Sequence, residues 1–251
     1  MFMRLVNLHI KPDRLDEFRK LYDKRVIPLF QTVPGCLYAS LIHSTQRQEE
    51  CISLTLWEAP AHAEAYEKGE TFKNLLEEIR SYLSDSSEWK VQLTQDLKLE
   101  YAPTPEEPVV KAFTVAVETD SGHVAPPTPQ MFLRLVSVTV KPDKIEEFTR
   151  IYENEIVPIL RAVPGCRYAS LTESTQKENE FISLTMWDSK RDADEYEQHG
   201  AYKDLLQKVK HTMSDLFQWK MQLEKERGAA SASSDDLSIE RYDIVAGKSF
   251  R

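Results

Sequence analysis

Cys51–Trp57, CISLTLW, and Phe181–Trp187, FISLTMW, are two versions of one strand set 130 positions apart. Read with period 2, the first sends Ile52, Leu54 and Leu56 to one face and Cys51, Ser53, Thr55 and Trp57 to the other; the second repeats the division with Phe181, Ser183, Thr185 and Trp187. The first face reads as core beneath helices. The second mixes hydroxyls with a large aromatic, a combination uncommon on a solvated strand face and in a dry core alike, so it is expected to line a cavity or a subunit contact.

The echo extends well beyond the strand. Residues 1–93 align with 131–223 without gaps at about 41 identical positions, so the chain is a tandem duplication. Each copy opens on an alternating strand, Phe2–Ile10 or Phe132–Val140, in which Met3, Leu5, Asn7 and His9 share the face away from Val6, Leu8 and Ile10. Lys-Pro-Asp then ends the strand, and Asp13 with Asp16 fits a capping box for a helix carrying Leu15, Phe18, Leu21, Tyr22, Val26 and Leu29. Pro28 and Pro158 are expected to kink or end that helix.

A Val-Pro-Gly turn delivers a second strand, Cys36–Ser44, with Ala39 and Leu41 towards the core and Cys36, Tyr38, Ser40 and Ile42 away from it; Tyr168 repeats Tyr38. The CISLTLW strand follows, then helices over 61–68 and 71–83, and a closing strand at Trp89–Leu93. Strand, helix, strand, strand, helix, strand is the ferredoxin-like (split βαβ) order of an α+β fold, a four-stranded antiparallel sheet with helices on one face. Two such sheets packed face to face would enclose a cavity inside one chain. The domain reading is repeat 1 over 1–101, a proline-rich linker with a further strand over 102–130, and repeat 2 with a C-terminal strand over 131–251. Gly228–Ser234, GAASASS, reads as a flexible loop.

Composition narrows the function classes. A net charge of -9 disfavours nucleic acid and anionic membranes as partners, no apolar run reaches spanning length, and no signal sequence is apparent, so a cytoplasmic protein is expected. Three cysteines without CxxC or histidine clusters support neither a disulfide framework nor structural zinc; Cys36 and Cys166 read as small buried strand residues. No phosphate-cradling glycine motif occurs, so no nucleotide cofactor is expected, and no metal site is read.

The strand ending in Lys-Pro-Asp, VPGCLYASL, ISLTLWEAPAHAEAY and the TFKNLLEEI helix resemble the antibiotic biosynthesis monooxygenase family, across both copies. That resemblance implies a dimeric α/β barrel, built here as an intrachain pseudo-dimer, with further homo-oligomers left open. It also implies an activity, a cofactor-independent monooxygenase acting on an electron-rich aromatic or quinol in the barrel pocket; the alternative is a non-catalytic small-molecule-binding or stress-related protein. By the resemblance Trp57 and Trp187 face the pocket, and the asparagine and histidine of heme-degrading relatives fall at Leu5 and Leu76, or Leu135 and Leu206, which disfavours heme. Where many relatives carry a histidine nine residues after the tryptophan, this chain has Tyr66 and Tyr196.

The candidate catalytic residues are Trp57, Trp187, Asn7 and His9. Tyr38, Ser53, Thr55, Tyr66, Tyr168, Ser183, Thr185 and Tyr196 are candidates for binding a small hydrophobic or aromatic ligand. Ser137 and Thr139 replace Asn7 and His9 in the second copy, so the two halves are expected to be unequal.

Overall fold

A computed structural model describes residues 1–93, 99–105, 109–118, 131–198, 200–213 and 237–249. The first copy runs β1 (Phe2–His9), α1 (Leu15–Leu21), α2 (Ile27–Thr32), β2 (Cys36–Ser44), β3 (Glu50–Trp57), α3 (Pro60–Lys68) and α4 (Glu70–Ile79). Then come β4 (Asp85–Leu93), β5 (Leu99–Pro105) and β6 (Val109–Glu118). The second copy repeats the pattern as β7 (Phe132–Thr139), α5 (Ile145–Ile151), α6 (Val157–Ala162), β8 (Cys166–Ser174), β9 (Glu180–Trp187), α7 (Lys190–Gln198) and α8 (Ala201–Val209), and ends on β10 (Leu237–Ser249). The flexible loop expected at Gly228–Ser234 lies outside the described residues.

Eight strands close a barrel in the order β1-β3-β2-β10-β7-β9-β8-β6, all pairs antiparallel. Each half, β6-β1-β3-β2 or β10-β7-β9-β8, is a ferredoxin-like sheet, so the duplicated chain makes its own dimeric α/β barrel. One sequence expectation needs correcting. The strand over Trp89–Leu93 does not close the first sheet; β4 pairs with β5 in a separate two-stranded sheet, and the fourth position goes to β6. β6 pairs with β1 of its own copy and β8 of the other, and β10 joins β7 to β2, so the two late strands bind the halves together and leave the barrel no edge.

The barrel interior is filled. Met3, Tyr38, Leu54, Leu133, Leu184 and Met186 are at most 1% exposed and pack there with Leu5, Ile42, Ile52, Leu56 and Ile244. Among the described residues, packed side chains occupy this layer, where the sequence led to the expectation of a pocket. Helices cover the outside of each half through a second core, in which Phe18, Tyr22, Val26 and Phe30 meet Val6, Ala39, Leu41 and Trp57; Phe148, Tyr152, Ile156 and Leu160 do the same in the other half.

Two local expectations change as well. The first helix starts behind a 3-10 turn at Pro12–Arg14, and no side chain caps it, so Asp13 is not a cap. Pro28 does not end the helix: a single π-turn over Tyr22–Val26, repeated at Tyr152–Ile156, precedes the segment that contains the proline. A widened turn is where a helix can accommodate the missing N–H and the ring of a proline. Gly35 and Gly165 adopt φ of 76° and 81° in the turns that launch β2 and β8, and a Cβ on Gly35 would stand 2.1 Å from His62 Nδ1, so the turn requires glycine twice over. Among the described residues no helix is long and apolar enough to cross a membrane.

Candidate active-site cavities

Strand pairing decides which side chains meet the helices. In the β1–β3 ladder Phe2, Arg4, Val6 and Leu8 lie opposite Trp57, Thr55, Ser53 and Cys51, and partners across an antiparallel pair share a face. Because Val6 and Leu8 pack under the helices, so do Trp57, Thr55, Ser53 and Cys51; the apolar set Ile52, Leu54 and Leu56 turns into the barrel. The two faces of β3 are therefore the reverse of those expected from its sequence, and hydroxyls fit a helix-covered core because each has a partner. Tyr22 Oη and Ser53 Oγ are 2.8 Å apart, Tyr152 Oη and Ser183 Oγ 2.7 Å, and Trp57 Nε1 and Trp187 Nε1 each donate to the neighbouring Thr55 or Thr185 Oγ1 at 2.9 Å.

Among the described residues, each copy holds a cavity in this helix-covered layer. The cavity of the first copy is about 30 Å³, walled by Arg4, Val6, Tyr22, Ser53, Tyr66, Phe72 and Leu76 among others. That of the second copy is about 60 Å³, with Arg134, Val136, Tyr152, Ser183, Thr185, Tyr196, Tyr202 and Leu206 in its walls. The described walls carry one charged side chain apiece, the arginine, beside hydroxyls, aromatic rings and aliphatic groups.

β1 supplies Arg4, 2% exposed, whose guanidinium carbon lies 4.8 Å from the centre of the Phe72 ring and 5.9 Å from that of Tyr66; Arg134 lies 4.5 Å from Tyr202 and 6.0 Å from Tyr196. Burial pushes the Arg4 guanidinium below its ordinary value, against the opposing pull of Glu67. α3 supplies Tyr66, which stacks on Trp57 with ring centres 5.5 Å apart, as Tyr196 does on Trp187 at 5.0 Å. Burial pushes both phenols well above the usual tyrosine range, so each is a proton donor and not a base at any ordinary pH. Tyr22 and Tyr152 sit at the start of the π-turns and are likewise held protonated by burial.

Of the candidates read from sequence, Ser53, Tyr66, Ser183, Thr185 and Tyr196 reach a cavity wall. Trp57, Trp187 and Thr55 stand in the same layer without lining it: the tryptophans, 0% exposed, back the tyrosines that do. Tyr38 and Tyr168 point the other way, into the packed barrel, where burial pushes the Tyr38 phenol up to about 12. Asn7 and His9, on the barrel face of β1 opposite Ile52 and Glu50, are partly exposed and belong to neither cavity. Cys36 shares the helix-side core instead of Tyr38's face, because a bulge between Cys36 and Tyr38 shifts the register. Its thiol is pushed up to about 12 by burial, as is that of Cys166, so neither is poised as a nucleophile.

Arg4, Arg134, Tyr22 and Tyr152 were not among the sequence candidates. A signal for the arginines was available, since Arg4 recurs as Arg134 on the otherwise apolar strand face that carries Phe2, Val6 and Leu8.

The model of the family described as antibiotic biosynthesis monooxygenase matches residues 1–78 and 131–208, more than half of the chain. The chain belongs to the antibiotic biosynthesis monooxygenase family. Its duplicated barrel is similar to a protein from Fusobacterium nucleatum provisionally assigned as a monooxygenase, with a TM-score of 0.68 at 10% identity, over 99% of this chain and 94% of that one. A provisionally assigned monooxygenase from Lactobacillus acidophilus gives 0.67 at 11% identity over 99% and 96%, and an anthrone oxidase-like protein gives 0.59 at 15% over 99% and 93%. At these identities the likeness is one of fold. No curated protein matches the sequence. Each of the two matched copies of the antibiotic biosynthesis monooxygenase unit carries one of the cavities described above, with Leu76 or Leu206 in its wall.

Proposed function

We propose that the protein is a cofactor-independent monooxygenase that oxidises an electron-rich aromatic, such as an anthrone or a quinol, in the cavities between helices and sheet. The observation that carries this reading is the wall composition: a buried guanidinium beside a buried, protonated phenol, in an aromatic and aliphatic surround. Membership of the monooxygenase family and the fold shared with an anthrone oxidase-like protein support it.

In such a reaction the substrate supplies the electrons. An anthrone-type CH₂ releases a proton to solvent as its enolate forms, the enolate passes one electron to dioxygen, the two radicals combine in a C–O bond, the peroxide anion takes a proton back, and the hydroperoxide loses water to leave a ketone. One CH₂ and one O₂ become one C=O and one H₂O. The protein's part is to stabilise the enolate oxygen, in the first copy with Arg4 and the Tyr66 hydroxyl and in the second with the Tyr196 hydroxyl beside the Glu197-paired Arg134, and to keep water from the intermediates. Because those tyrosines remain protonated, the substrate's own acidity sets the ease of the first step.

The cavities are smaller than the ~150 Å³ that holds a benzene molecule, so a substrate of two or three rings requires α4 or α8 to move outward. The same small volume favours the second reading, a barrel protein that binds ligands without turning them over.

Oxygen uptake separates the two. With anthrone and 1,4-naphthoquinol as probes, uptake above the spontaneous rate and one O₂ per anthrone consumed are expected. A Leu76→Trp/Leu206→Trp variant, which fills both cavities, should lower the rate at least tenfold, or ~1.4 kcal/mol. Binding of either probe without uptake, or an undiminished rate in the folded variant, would defeat the oxygenase reading.

A further inference from the structure

The two copies treat their buried arginine differently. In the second, Arg134 Nε donates to Glu197 Oε1 at 2.6 Å, and Glu197 is itself only 19% exposed. In the first, the matching Glu67 is 46% exposed and its Oε2 stands 3.6 Å from Arg4 Nε, beyond hydrogen-bond range. Among the described residues Arg4 Nε and Nη2 and the Tyr66 hydroxyl, gathered at one cavity, are buried without a hydrogen bond, Nε having only the longer ion pair to Glu67; in the second copy Arg134 Nη2 alone of that guanidinium is left so. A buried cation and its N–H groups strongly favour an acceptor, and the ring faces of Tyr66 and Phe72 provide no lone pair for them.

We propose that the first cavity is an anion subsite for a planar oxyanion, an arene carboxylate or an enolate or phenolate, that docks on the Arg4 fork and the Tyr66 hydroxyl and displaces the half-exposed Glu67; in the second copy Glu197 already occupies that place. A guanidinium fork suits two coplanar oxygens, and the flanking Tyr66 and Phe72 rings suit a flat ligand. Glu67 is then an internal competitor, and the copies are unequal through their carboxylates as well as through Asn7 and His9. The inference shares its cavity with the oxygenase reading but does not depend on turnover.

Calorimetric titration of the full chain with acetate, benzoate and 2-naphthoate, each against its amide, provides the test. One site per chain is expected, with at least one carboxylate bound tenfold or more tightly than its amide. Glu67→Gln should tighten carboxylate binding several-fold, and Glu197→Gln should raise the stoichiometry from one to two; both glutamates are partly exposed, so both variants should fold. The proposal fails if no carboxylate binds, if acid and amide bind alike, if Glu67→Gln leaves affinity unchanged or weakens it, or if Glu197→Gln adds no site. Carboxylate binding in a protein that consumes no oxygen with either aromatic probe would sustain this subsite and reject the oxygenase; uptake with no carboxylate binding would do the reverse.

Discussion

Ile244→Asp is expected to destabilise the native barrel by more than about 3–5 kcal/mol at neutral pH, the scale for leaving an uncompensated charge in a protein interior. Ile244 is 3% exposed, lies opposite Ile42 across the β10–β2 ladder, and packs inside the barrel with side chains from both copies. With domain stabilities of ~5–15 kcal/mol, such a loss threatens folding itself. Burial raises the folded-state pKa of the new carboxyl above the unfolded value of about 3.9. A raised group binds more protons folded than unfolded, so the variant's deficit should be smallest below ~pH 4 and grow as pH rises through the raised pKa. Ile244→Val, which keeps the apolar contact, should cost only ~0.5–1.5 kcal/mol. Denaturant unfolding at several pH values checks both. A small, pH-independent loss for the aspartate would mean that the barrel interior admits water.

Trp57→Ala is expected to cost ~3–5 kcal/mol, the range for truncating a buried large aromatic. The indole is 0% exposed, meets Tyr66 at 5.5 Å and Phe30 edge-on at 6.1 Å, and satisfies the buried Thr55 hydroxyl. Trp57→Phe retains most of the packing and loses the N–H, for ~1 kcal/mol. Since the tryptophan backs the cavity wall without reaching the cavity, Trp57→Phe/Trp187→Phe should keep oxygen uptake within a few-fold of the parent, although both residues were leading catalytic candidates by sequence. Unfolding and uptake measured on the same variants would separate support from catalysis; a hundredfold loss of uptake in a stable double variant would return the indoles to the reaction.

Much of the architecture was legible because duplication printed it twice. The spacing of Phe18, Tyr22, Val26 and Leu29, the Val-Pro-Gly turns and the alternation in β1 placed helices and sheet correctly. The identity of the fourth strand was not legible, since β4 and β6 both follow the helices and only long-range pairing assigns the place in the barrel to β6. The side of β3 that the helices cover was not legible either. Period 2 divides CISLTLW into two faces but does not say which face the helices cover; that follows from its register against β1, where Ser53 meets Val6 and Leu54 meets Leu5. Once the faces exchange, the hydroxyls find Tyr22 and Tyr152, the expected barrel pocket becomes a packed core, and the arginines emerge as the charged groups of the cavities.

The central claim is that ligands enter between helices and sheet and not inside the barrel. Methyl NMR of the protein titrated with anthrone under argon addresses it most directly. Shifts concentrated on Val6, Leu76 and Ile79, or on Val136, Leu206 and Val209, with Leu5, Ile52 and Leu54 unmoved, are the predicted result. Shifts centred on Leu5, Ile52, Leu54 and Leu184, with Val6 and Leu76 silent, would contradict it.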